Sequence, residues 1–138
     1  MSNYMTHPID TTPTIRGIAG AAIENPALLA VKFDGEGKLV LPAAGDPVIG
    51  IVLADENTVK TGDPLHIQIK DITYWIAGAE IKAGDMLKAT AEGKCEPADA
   101  GNVVNAIALE PAAAGDLCKV MITHTTVPAA PETPEVSA

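Results

Sequence analysis

Three histidines (His7, His66, His124), two cysteines (Cys95, Cys118) and two close carboxylate pairs (Asp34/Glu36 and Asp55/Glu56) could bind a metal, attack a carbonyl or move a proton. Their spacing does not assemble them. The histidines lie far apart, and His66 falls on the polar phase of an alternating segment, which faces solvent. The cysteines form no Cys-x-x-Cys and have no histidine at ligand spacing, so buried free thiols are expected, with a disulfide as the alternative. Both carboxylate pairs sit in expected loops, where acidic groups are commonly just solvated. The chain has no GxSxG, HExxH, GxGxxG or Walker loop. The expectation is therefore no enzyme, with no catalytic, cofactor-binding or metal-ligating residue. Tyr74 and the single tryptophan, Trp75, are neighbours, and in a strand they point to opposite faces. One ring plugs a core seam, or the exposed one anchors a protein contact.

The elements that must carry these residues read as strands. In "PLHIQIK", Leu65, Ile67 and Ile69 alternate with His66, Gln68 and Lys70, the period of a half-buried strand. "VIGIVLA" and "VVNAIALE" are apolar runs of strand length. Gly-Asp recurs at Gly45-Asp46, Gly62-Asp63, Gly84-Asp85 and Gly115-Asp116. Glycine tolerates positive φ and aspartate bonds its own turn, so each pair marks the start of a strand. "DGEGK" and "AEGK" resemble hairpin tips. Helical periodicity is weak, leaving room for a short turn near Ile23 to Leu29 or Asp55 to Val59.

The chain also repeats itself. Ile18-Ala19-Gly20-Ala21 matches Ile76-Ala77-Gly78-Ala79, and Glu36-Gly37-Lys38 matches Glu92-Gly93-Lys94. Ile51-Val52-Leu53 falls on Ile107-Ala108-Leu109, and Gly62-Asp63 on Gly115-Asp116. The period is roughly 55 residues, and two copies are too few for a solenoid. They suit a two-fold pseudosymmetric domain, with repeats over about 18–69 and 76–122. The expected fold is all-β: a compact β-barrel or sandwich-like domain over 15–124. It is flanked by an extended N-terminal arm (1–14) and a Pro-rich C-terminal tail (125–138).

Composition narrows the partners. Hydrophobic residues make up 47% of the chain but aromatics only 3%, so the core must be aliphatic. A net charge of −9 argues against nucleic acid and against an anionic membrane surface. No run is long and apolar enough to span a bilayer, and "MSNYMTHPID" has no signal-peptide pattern.

The pattern "IAGAxI…GDxLKATAEGK…PA…V…AIALEPAAAGDLCKVMI", above all Ala106 to Leu117, resembles the capsid decoration, or head cement, proteins of tailed bacteriophages. The resemblance covers about residues 15 to 123 and rests on turn and strand signatures. It implies a structural virion protein on the outer surface of the head, assembled in the host cytoplasm, often as a homotrimer, that stabilises the expanded shell. It implies the major capsid protein as partner. It also implies an N-terminal arm lying along that partner, here through Tyr4, Met5, Pro8, Ile9, Thr11, Thr12 and Thr14, with Tyr74 or Trp75 as further interface aromatics. The rival reading is a lipoyl- or biotinyl-like carrier or small-molecule binding domain. Such carriers also have quasi-symmetric β halves, and Lys70 lies near the midpoint of the repeats. Lys70 lacks the Asp-Lys-Ala or Met-Lys-Met setting of a modified lysine.

Overall fold

The structure is a computed structural model that describes residues 11–53 and 58–128. It is all-β, with no helix among the described residues. Seven strands precede Lys70: β1 (Thr14–Ile18), β2 (Ile23–Glu24), β3 (Ala30–Phe33), β4 (Leu39–Val40), β5 (Gly50–Val52), β6 (Thr58–Val59) and β7 (Pro64–Gln68). Five follow it: β8 (Ile72–Ile76), β9 (Met86–Ala89), β10 (Cys95–Pro97), β11 (Val103–Ala108) and β12 (Leu117–Thr126). The segment from Ile23 to Leu29, where a helical turn was possible, holds β2 and a non-helical turn.

The first unit is a five-stranded sheet in the order β1-β7-β5-β3-β4, and the second runs β8-β12-β11-β9-β10. Strand for strand the two orders are the same. The small β2–β6 pair of the first unit, Ile23 against Val59, has its counterpart in a single bridge between Ile81 and Ala112. Each sheet curls until its first and last strands nearly meet. Ala19 then bridges Leu39, and Ala77 bridges Cys95. At this closure Gly20 N–H donates to the Leu39 carbonyl at 2.8 Å and Gly78 N–H to the Cys95 carbonyl at 2.7 Å. A Cβ on Gly20 would stand 3.0 Å from both Lys38 Cβ and Val40 Cγ1, so the matched glycine of "IAGA" is where backbone must approach backbone.

The Gly-Asp pairs do what their chemistry suggests. Gly45, Gly62, Gly84 and Gly115 all have φ between 81° and 93°. The carboxylates of Asp46, Asp63 and Asp85 each accept the N–H three residues back, from Ala43, Lys60 and Lys82, at 2.9 Å. Asp46 also pairs with Lys32, and that contact, followed by the Ala43 N–H, holds its carboxyl below the usual range.

Packing between the units departs from the two-fold expectation. A two-fold seam would treat equivalent residues alike. Instead the Gly93 tip of the second unit is buried against Leu29, Ala30 and Leu41 of the first, whereas a Cβ on the matching Gly37 would meet none of the described residues within 4 Å. Trp75 fixes this seam. It is fully buried with Ala30, Val48 and Ile51 of the first unit, and its Nε1–H donates to the Gly93 carbonyl at 2.8 Å. That carbonyl also accepts the Ala30 N–H at 2.7 Å. Asn105, itself buried, ties the units again. Its Oδ1 accepts from Val48 N–H at 3.1 Å and its amide donates to the Asp46 carbonyl at 3.2 Å.

Candidate interaction surface

Strand alternation sorts the second sheet into a core face and an outer face. On β8, Thr73 and Trp75 turn inward while Ile72 and Tyr74 turn out; on β12, Cys118 and Val120 are buried while Leu117, Lys119 and Met121 face out. Register lines the outer residues up across four strands. Ile72 pairs with Met121, Met121 with Ile107, and Ile107 with Met86. Beside this apolar ladder runs a second row in which Tyr74 pairs with Lys119, whose carbonyl accepts the Leu109 N–H at 2.8 Å. Six of the eight exposed large apolar side chains of the described chain (Ile72, Tyr74, Met86, Leu109, Leu117, Met121) lie on this one unit, and the other two are Ile18 and Phe33. Exposed apolar groups concentrated this way make the outer face of this unit the candidate contact surface.

The aromatic pair therefore divides as strand geometry requires: Trp75 is buried at the seam and Tyr74 is 43% exposed on the outer face. Of the arm residues, Thr11 and Thr12 are exposed, and the Thr12 hydroxyl donates to the Thr14 carbonyl at 2.9 Å. Thr14 belongs to β1, paired with Gln68, and the Pro13 carbonyl accepts the Ile69 N–H at 2.8 Å. Tyr4, Met5, Pro8 and Ile9 lie outside the described residues, as do His7 and the Asp55/Glu56 pair.

The remaining polar candidates are not brought together. His66 and His124 are exposed on β7 and β12. Asp34 serves its own hairpin: its Oδ1 accepts the Glu36 N–H at 2.8 Å and the Lys38 N–H at 3.0 Å. The Lys38 bond, then the Glu36 bond, holds its carboxyl below the usual carboxylate range. Cys95 and Cys118 are free and buried, and burial pushes the Cys95 thiol up to about 12. Lys70 is exposed in the turn joining the two units. No group of three or more His, Cys, Asp or Glu among the described residues is arranged to hold a metal ion. The outer ladder was missed in the sequence. Its only signal was apolar residues on both phases of "LCKVMI", a pattern shared with a strand buried on both faces.

No family model matches the chain. Among solved structures, it is similar to the head fiber gp8.5 N base in bacteriophage phi29, with a TM-score of 0.63 and 22% identity over 83% of this chain and 96% of that one. The β architecture of this chain is thus similar in fold to that phage head fiber base.

Proposed function

We propose that this chain is a structural virion protein of a tailed phage. It decorates the outer surface of the head as a homotrimer, binds the major capsid protein and cements the expanded shell. The observation that carries this reading is the likeness to a phage head fiber base over 83% of the chain. The two units, alike in strand order and in their glycine closures, are read as a duplicated building block.

The N-terminal arm is the proposed grip on the capsid. Residues 1–14 offer only Met1, Tyr4, Met5 and Ile9 as sizeable apolar groups and cannot build a core. Extended, such an arm reaches on the order of 45 Å, enough to cross to a neighbouring subunit. It would add to an exposed strand edge of the partner, with Pro8 and Pro13 interrupting the pairing. Because Pro13 and Thr14 already pair with the body, the test deletes residues 2–11 only. Thermal unfolding is expected to change little, while binding to expanded capsids falls at least tenfold, a loss of about 1.4 kcal/mol. Unchanged binding would contradict the arm's role and move the contact to the face carrying Tyr74.

A further inference from the structure

Three of the eight exposed large apolar groups, Ile18, Phe33 and Met86, have a common explanation in the seam between the two units. The ladder Ile72–Met121–Ile107–Met86 of the second sheet has a register-matched counterpart in the first: Thr14 pairs with Gln68, Gln68 with Ile51, and Ile51 with Ala30. The backbone confirms the match. Leu28 N–H donates to the Val52 carbonyl and Val52 N–H to the Leu29 carbonyl; Gly84 donates to Ala108 and Ala108 to Asp85 in the same way, all at 2.8 or 2.9 Å. Ala30 thus corresponds to Met86 and Ile51 to Ile107.

In the first unit these two positions are covered: Ala30 and Ile51 lie under the second unit, packed with Trp75. In the second unit Met86 is 40% exposed and Ile107 half-buried. The covering side is asymmetric in the opposite sense. Gly93, Ile76 and Ala89 of the second unit meet the first: Gly93 through its packing, Ile76 by an N–H to the Leu28 carbonyl, and Ala89 by accepting the Gly45 N–H. Their counterparts Gly37, Ile18 and Phe33 are all exposed. Among the described residues, each chain therefore carries one completed seam and the two open sides of a second. One element is not open: Gly101, the counterpart of Gly45, donates to Val127 of its own chain.

We infer that a second copy of this chain completes the seam. The hairpin tip Asp34–Lys38 of one copy, flanked by Ile18 and Phe33, docks on the Met86–Ile107 shoulder of the next, as the Gly93 tip docks on Ala30 within the chain. A head-to-tail contact of this kind either closes into a ring or runs on as a filament. Three copies, six units, supply the ring that the proposed trimer requires. The inference deepens that part of the proposed function and stands apart from capsid binding.

The test is cross-linking in concentrated solution without capsids. Full-length Glu36→Cys and Met86→Cys proteins are mixed and treated with a short thiol-reactive cross-linker, which buried Cys95 and Cys118 do not meet. A mixed 36–86 dimer is expected in at least tenfold excess over 36–36 and 86–86 products, and the double variant is expected to give a three-chain species. Predominant 86–86 dimers would mean a two-fold contact and overturn the inference, as would no cross-link at all. So would Met86→Cys that a small maleimide labels only after residues 1–10 or 129–138 are removed, since the chain's own terminus would then be the cover. A chain that cross-links head to tail but does not bind heads leaves this contact standing and sinks the capsid reading alone.

Discussion

Trp75→Ala is expected to be the most destabilising single substitution in the body, costing about 3–5 kcal/mol in chemical denaturation. The side chain is fully buried, and it is the largest among the completely buried ones. Its removal leaves a cavity lined by residues of both units, because Ala30, Val48 and Ile51 pack in the same cluster as Ala77, Leu87 and Val120. The first unit shows why the cavity cannot simply collapse. The position matching Trp75 is Gly17, where an added Cβ would stand 2.5 Å from Leu39 Cδ1. Leu39 fills that space, and its own counterpart is the smaller Cys95. Large and small have been exchanged between the units, so the second unit has no Leu39 to fill the gap. Unfolding should be followed by circular dichroism, since Trp75 is the only tryptophan. Trp75→Phe keeps an aromatic ring in the seam but removes the Nε1–H and part of the volume; the Gly93 carbonyl keeps its bond from Ala30, so a loss of about 1–2 kcal/mol is expected. A cost below about 1 kcal/mol for Trp75→Ala would contradict the seam.

Gly93→Ala should cost about 2–4 kcal/mol, whereas Gly37→Ala should cost only about 1 kcal/mol. The two glycines share a conformation, with φ of 79° and 82°, and so share the penalty of a Cβ in the left-handed region. Their surroundings differ. A Cβ on Gly93 would meet the Ala30 carbonyl oxygen and Leu41 Cδ2 at 3.0 Å, while one on Gly37 meets none of the described residues within 4 Å. The difference between the variants, read from paired urea titrations of the free chain, isolates the seam from the backbone strain. Equal losses would mean that the second tip is not packed.

Much of the fold could be read from residue patterns because its rules are local. Alternation in "PLHIQIK" and the split of Tyr74 from Trp75 follow from strand geometry alone. The Gly-Asp turns follow from the few residues able to adopt positive φ, and the matched Gly20 and Gly78 from a close approach that a side chain would obstruct. What local rules do not carry is how one unit sits on the other. Similarity between Gly37 and Gly93 marks equivalent positions without saying which of them is covered, so the two-fold expectation had no local signal against it. The outer ladder was hidden for a related reason. Met86, Ile107 and Met121 are ordinary strand residues until register places them side by side. Of the proposed arm, only residues 11–14 fall within the described residues, and Pro13 and Thr14 already pair with the body.

The reading of this chain as a head-surface protein is tested most directly by cosedimentation of the full-length chain with purified, expanded phage heads that lack it. The account predicts saturable binding at a fixed ratio to the major capsid protein, with the chain pelleting with the heads and projecting from their outer surface in micrographs. A chain that remains in the supernatant at all concentrations, while folded and assembled, would contradict it.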